Sequence, residues 1–445
     1  MNWKQLLSSN RIGKTSKADS FRSAFEQDYD RIIFSHPFRR LQDKTQVHPL
    51  PEYDFVHTRL THSLEVSSVG RSLGKKVGES ILVRYPELSK EGFSSYDFGA
   101  IVAAAALAHD IGNPPFGHSG ESAISGFFNS KVISSLFKKH MTPNQWADII
   151  DFEGNAQGFR LMNQTDGLQL TNATLAAFTK YPRPSLISGR DQSRKSQKKY
   201  GYFQSDKNSF EDLATEVGLK KYSDEGVWSR HPLAFLVEAA DDICYQVIDL
   251  EDGCRLELVS YEETVSLLGA IIGESFNPDK LAKYNSNAER IGVLRAMAIG
   301  KLVDECVTVF LDHEQQLLSG DFDRGLTGLI PSKDILKSIE KLSIIKIYQS
   351  RKVLEKEAAG FEVLPGLLEA FSTAVFHHYI DKTHFTKKLE NLVRLLPEDV
   401  RTKMDQSPDS LYDLLMATID FISGMTDSHA ISLYRKIKGI SLPIN

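Results

Sequence analysis

The sequence predicts an all-α protein. Three observations carry that reading: apolar residues recur at three- and four-residue steps, serine and proline punctuate the stripes, and alternating strand patterns are few. From His62 onward, Val66, Val69, Leu73 and Val77 form one face of an amphipathic helix. Gly99 to Ala108 is apolar all round, which suits a helix buried on every side, and it runs into His109-Asp110. Gly112-Asn113-Pro114-Pro115 is expected to stop it, because proline cannot continue the hydrogen-bond ladder. Leu233 to Asp249 reads as a helix opened by His231-Pro232. Ile291, Leu294, Ala298, Leu302 and Val309 mark a long helix, and Ile335, Ile339 and Leu342 the next, with Ser332 as N-cap. Pro365-Gly366 is expected to open another, and Leu411 to Ser423 forms a further one. Gly201 to Gln204 is the best strand candidate.

The chain has 445 residues, 41% hydrophobic and 25% charged, enough for a sizeable core. No linker rich in Pro, Gly and Ser divides it, and no internal repeat is evident. A single compact unit is expected. Residues 1–255 would form the core that carries the site, and 256–445 a helical region packed on it. Lys and Arg number 53 against 58 Asp and Glu, a net charge of -5, which argues against a polybasic nucleic-acid binder. Three cysteines without a CxxC pair fit a reducing cytosol better than a disulfide scaffold. The opening MNWKQLLSSNR lacks an apolar segment, and the ten-residue run from Gly99 is half of the ~20 that a span needs. A cytoplasmic protein is expected. The basic stretch Arg190 to Lys199 reads as a solvated loop, with an anion-facing flap as the alternative.

Histidine is unevenly spread. Six of thirteen (His36, His48, His57, His62, His109 and His118) fall between positions 36 and 118. Arg59 and His62 are three apart and share a helix face. His109-Asp110 follows directly on ten apolar residues, where burying an uncompensated ionisable pair would cost several kcal/mol. Asp241, Tyr245 and Asp249 are spaced four apart and form one polar stripe. Two histidines and two carboxylates make a mixed nitrogen and oxygen set suited to a divalent ion, with positions left open for water and substrate. The compact turn from Ile111 to Glu121 would return His118 and Glu121 toward the same place, and a histidine there suits acid-base work.

These residues carry a resemblance. The pattern His62, His109-Asp110, Asp241 resembles that of the HD-domain metal-dependent phosphohydrolases. Longer strings narrow it: FRRLQDKTQV from Phe38, RLTHSLEV from Arg59, HDIGNPPFGHSGE from His109, FEGNAQGFR from Phe152, TKYP from Thr179, EAADDICYQVIDLEDG from Glu238 and ISGMTD from Ile422. In this order, across most of the chain, they resemble the deoxyguanosinetriphosphate triphosphohydrolases and their dNTPase relatives. The resemblance implies an HD-domain helical core with an additional helical C-terminal region. It implies hydrolysis of a dNTP, dGTP favoured, to deoxynucleoside and inorganic triphosphate by water attack on the α-phosphorus. His62, His109, Asp110 and Asp241 would hold the divalent metal, Mn²⁺ or Mg²⁺ or similar. Asp241 rather than Asp242 is implied because it lies four residues before Tyr245. His118 and Glu121 would be catalytic. Arg59 would bind the α-phosphate, and Lys180 and Tyr181 would contact phosphates. Gln46 and Asp249 would hydrogen-bond the 3′-hydroxyl, Tyr245 would exclude a 2′-hydroxyl, and Val47 would lie near the base edge.

The resemblance further implies a homo-oligomer, tetramer or hexamer, and a nucleotide activator in some relatives. Single-stranded nucleic acid is a further candidate partner, and a membrane is not one. His57 stands where Arg is common and His48 where Phe is common, while Asn113 sides with the dGTPase branch. The alternative activity is that of another HD phosphohydrolase, acting on 5′-nucleotides, cyclic dinucleotides or (p)ppGpp.

Overall fold

The computed structural model describes residues 1–12, 22–46, 57–164, 168–405 and 410–441. Among these the protein is all-α, and the only strands are the short antiparallel pair Lys221–Ser223 and Val227–Trp228. Ala24–Phe34 (α1) opens with a reciprocal Ser23–Glu26 capping box. Arg59–Arg84 (α2) opens at Thr58, which exchanges hydrogen bonds with Thr61. Its buried face holds Val66, Val69, Leu73 and Val77, and along it lies Ser95–Ala108 (α3), buried on nearly every side. Helix α3 ends at Ala108, before the prolines demand it. The His109 amide and its ring Nδ1 both donate to the Ala106 carbonyl, at 3.3 and 2.7 Å, and so take the acceptor that the next helical turn needs.

Gly117–Asn129 (α4) and Gly154–Gln164 (α5) follow. Pro232–Arg255 (α6) starts where expected, with Pro232 at its first position, and packs against both α2 and α3. Asn287–Asp312 (α7) covers α2 and α6. Lys333–Ser343 (α8) runs into a π-helical turn, Ile344–Tyr348. Ser332 occupies its N-cap position, but its hydroxyl goes to Glu305 at 3.1 Å instead of to the helix.

Two expectations fail. Gly201 to Gln204 is not a strand. Tyr200, Tyr202 and Phe203 are all buried, so the segment has no alternation of faces, and a 3₁₀ turn begins at Gln204. Pro365 does not open a helix. It lies inside the 29-residue Arg351–Tyr379 (α9). Leu364, Leu367, Leu368 and Phe371 are buried as one stripe across the proline, so packing maintains the helix. Phe361, whose carbonyl loses its donor, is half exposed and open to water.

The apolar interior forms two clusters. The first joins α1, α2, α3, α6, α7 and α8 as far as Ile347. The second joins α4, Trp146 and Phe152 with α9 and Leu411–Ser423 (α10). The region after residue 255 therefore contributes to both. Val353–Tyr379 is long and apolar enough to cross a membrane, but 56% of an apolar 18-residue stretch within it is buried in the protein, as in the core helix it forms here.

His231 shows how the N-terminal segment is tied down. It is fully buried, its Nε2–H donates to the Leu6 carbonyl at 2.9 Å, and its Nδ1 accepts from the Leu233 amide at 3.1 Å. Burial pushes its pKa down to about 4. The unfolded chain therefore takes up a proton first as pH falls, and stability drains between about pH 6.5 and 4, by up to about 3 kcal/mol. Urea unfolding at pH 7.5 and pH 5 should show a smaller acid loss for His231→Asn, which keeps an N-cap acceptor but cannot titrate. Equal losses in the two proteins would remove His231 as the cause.

Candidate metal centre and active site

Where α2, α3 and α6 converge, four ionisable side chains meet. The Asp241 Oδ1 lies 3.3 Å from His62 Nε2 and 3.4 Å from His109 Nε2, and Asp110 Oδ1 lies 3.6 Å from His109 Nε2. His62, His109 and Asp241 each offer a ligand atom within 4.8 Å of the others. Because His109 Nδ1–H is spent on the Ala106 carbonyl, its Nε2 is the ring atom left facing these carboxylate oxygens. Such an arrangement calls for a cation or a proton between them. Asp110 Oδ2 points the same way: it is buried with no hydrogen-bond partner, which is costly unless something positive meets it. Two imidazoles and two carboxylates therefore fit a divalent metal.

Protein cations hold the carboxylates ionised. Burial works to raise the Asp110 pKa, but Arg59, 3.0 Å away, and the two histidines bring it down to about 2. Burial likewise opposes the charge on Asp241, and Lys180, donating at 2.7 Å, with His109 holds its pKa well below the usual range. Asp242 plays a different part. It accepts from Thr327 at 2.7 Å, and burial pushes its pKa up to about 6. Asn113 donates to Asp110 at 2.5 Å and so helps aim it.

The turn after Asp110 depends on close backbone approach. A Cβ on Gly112 would stand 1.9 Å from the Gly154 carbonyl at the start of α5. Phe116 and Gly117 both take positive φ, 65° and 61°, turning the chain into α4. The Phe116 amide is held by Asp427 Oδ1 at 3.0 Å, while Asp427 Oδ2 accepts from Thr45 N at 3.1 Å and Lys356 Nζ at 2.5 Å. Helix α4 then presents His118, exposed, with its Nδ1–H donating to Glu121 at 2.7 Å. Glu121 also accepts from the Gly154 amide at 2.8 Å. Burial favours its neutral form, yet His118 and Lys199 outweigh it and lower its pKa.

A cavity of about 550 Å³ opens on this centre. Tyr245 forms part of its wall, stacked on Tyr348 with centroids 5.5 Å apart and planes 26° apart.

Residues 59–165 match the family model of the HD domain, and 333–436 match that of the phosphohydrolase-associated domain. The chain is 43% identical to a deoxyguanosinetriphosphate triphosphohydrolase-like protein of Synechocystis sp., over 99% of this chain and all of that relative. A protein of the same description from Pseudomonas aeruginosa is 40% identical over the full length of both. The deoxyguanosinetriphosphate triphosphohydrolase of Salmonella typhimurium is 32% identical over 94% of each. The chain belongs to the deoxyguanosinetriphosphate triphosphohydrolase family. It is an HD-domain hydrolase, and HD domains are metal-dependent phosphohydrolases.

In this hydrolase Gln46, Arg59, His109, Asp110, His118, Lys180, Tyr181, Asp241 and Tyr245, all singled out from the sequence, line the cavity. His62 lies beneath it, almost fully buried, and Glu121 lies behind His118. Asp249 does not reach the cavity wall. It accepts from the Tyr348 hydroxyl at 2.6 Å, and Tyr348 is the residue that lines the cavity. Val47 and His48 lie outside the described residues. His57 is placed at the flank, paired with Asp252 at 2.7 Å and Glu65 at 3.2 Å; burial opposes its charge, but the two carboxylates bring its pKa up to about 10.

Sequence reasoning missed Tyr348, Lys356 and Glu357, which reach the cavity from the C-terminal region, and Asn155. No motif marks the first three. Asn155 lay within the FEGNAQGFR string and Lys199 at the end of the basic stretch, of which Lys199 does face the cavity. The rest of that stretch is largely structural: Arg194 pairs with Asp323 at 3.0 Å and Lys195 with Glu238 at 3.2 Å.

Asp427 is the joint between the turn and the C-terminal region. Asp427→Asn leaves one fewer acceptor for its donors and should cost about 1–3 kcal/mol. Hydrogen exchange should accelerate across residues 113–121 while α2 and α3 stay protected. Unchanged exchange there would show that the turn holds its shape without Asp427.

Proposed function

We propose that this hydrolase converts dNTPs, with dGTP preferred, to a deoxynucleoside and inorganic triphosphate by attack of water on the α-phosphorus. One observation carries the reading: a His/Asp cluster with an unpartnered buried carboxylate oxygen shares a cavity with a His–Glu pair, a tyrosine platform and cationic side chains. The substrates named for the relatives fit this set of groups. His62, His109, Asp110 and Asp241 would hold Mn²⁺ or Mg²⁺. When bound, such an ion neutralises phosphate charge and makes a water nucleophilic at neutral pH.

The chain's own residues supply the rest. Arg59 and Lys180, both largely buried, offset negative charge on the reacting phosphate. His118 gives a proton to the departing 5′-oxygen, and Glu121, fixed by the Gly154 amide, keeps the ring aimed. Gln46 Oε1, buried without a partner, is an acceptor for the 3′-hydroxyl. Asp249 acts on that end of the cavity through the Tyr348 hydroxyl. The Tyr245 ring takes the space beside the sugar that a 2′-hydroxyl would need. Homo-oligomerisation and nucleotide activation belong to the same proposal and rest on the family resemblance alone.

Incubation with each dNTP and Mn²⁺ or Mg²⁺ in ¹⁸O-water should yield triphosphate carrying the label. Monophosphate with pyrophosphate, or label in the nucleoside, would overturn the reading. His62→Ala and Asp241→Ala should lose both bound metal and turnover, measured by metal analysis and product release. Tyr245→Ala should narrow the gap between dGTP and GTP by at least about tenfold, ~1.4 kcal/mol of discrimination; an unchanged ratio would remove its steric role.

A further inference from the structure

We propose that His377, Asp381 and His384 form a second divalent-metal site that takes a borderline transition ion such as Zn²⁺. The site lies far from the cavity. His377 is in the last turn of α9, and His384 closes a 3₁₀ turn, Lys382–His384, that folds back beside it. Lys356, which reaches the cavity from the same helix, is roughly 30 Å away along the axis at 1.5 Å per residue.

The three side chains converge on one point. His384 Nδ1 lies 2.7 Å and His377 Nδ1 3.6 Å from the same oxygen, Asp381 Oδ2. All three ligand atoms fall within 4.8 Å of one another. The His377 Nδ1 atom is buried and has no hydrogen-bond partner, so one donor atom of the set is aimed inward with nothing to meet. Ligands about 2 Å from a tetrahedral ion lie roughly 3.3 Å apart. The His377–Asp381 spacing is already close to this, and exposed His384 can open the shorter one by a small rotation.

The chemistry selects the ion. Two imidazoles and one carboxylate suit Zn²⁺, Co²⁺ or Ni²⁺, whereas Mg²⁺ and Ca²⁺ prefer oxygen donors. Water completes the coordination from the exposed side. The location also favours a cation, because the cluster lies at the C-terminal end of a 29-residue helix. Neighbouring His378 does not join it and packs against Phe385, centroids 5.2 Å apart. A bound ion would clamp the end of α9 to the turn leading into the helix Lys387–Leu395. It would stabilise the second apolar cluster without touching the reacting groups.

Equilibrium dialysis of the full-length chelator-stripped protein against micromolar Zn²⁺ tests this. Wild type should hold one Zn²⁺ per chain more than His384→Ala or Asp381→Asn, and Zn²⁺ should raise the melting temperature of wild type more than that of either variant. Circular dichroism and melting in chelator confirm that each variant is folded; both residues are on the periphery, and either variant suffices if the other fails. Equal stoichiometry in wild type and the folded variant overturns the proposal. So does Zn²⁺ held only at millimolar concentration, which is adventitious binding.

Discussion

Everything around the centre answers one constraint: carboxylates and imidazoles have been taken out of water at the end of an apolar helix. Asp110 and Asp241 cannot stay ionised there alone. Arg59 and Lys180 are brought to them from separate segments, and Asp110 Oδ2 still lacks a partner. The negative end of α3 adds to the demand for positive charge at that point. The site is therefore polarised before any substrate arrives. Its cations serve a second purpose, since the groups that compensate the carboxylates also face the cavity where a polyanion would lie.

The site is also a joint. The histidine and carboxylate cluster stands on helices of the first apolar cluster, whereas His118 and Glu121 stand on α4, which packs in the second. Their relative position is set by a few polar crossings. Buried Lys44 donates to the Asn113 carbonyl at 2.6 Å and the Ser423 carbonyl at 3.0 Å, so one ammonium ties the turn after Asp110 to the end of α10. Burial pulls its pKa down to about 7, with Asp427 acting against the fall. Asp427 joins Thr45, Phe116 and Lys356 on the same seam. The ISGMTD string, remote from the motifs that supply the cluster, thus contributes Ser423 and Asp427 to the ties on the turn before α4.

Much of the fold was legible because helix burial leaves a periodic trace. The stripe of α2, the all-apolar α3 and the extent of α10 follow from spacing alone. Pro365 obeys local preference only when tertiary packing is weak, and the stripe from Leu364 to Phe371 overrides it. Over four residues burial on all sides and burial on one face look alike, so the aromatic run near Gly201 mimics an alternation that the structure does not have.

By itself the sequence determined several of the long helices and the chemical inventory: the stripes of α2, α3, α6 and α10, and that His62, His109, Asp110, His118 and Asp241 are set apart from ordinary core or surface residues. Those facts are local, written in spacing and in the cost of burying charge. The tertiary structure alone decided that Asp242 turns away to Thr327, that Asp249 sits behind Tyr348, and that α9 supplies Lys356 and Glu357 to the cavity. These depend on how helices far apart in the chain rotate and abut, and rotation about a helix axis is fixed by the neighbours it packs against, which no local pattern records.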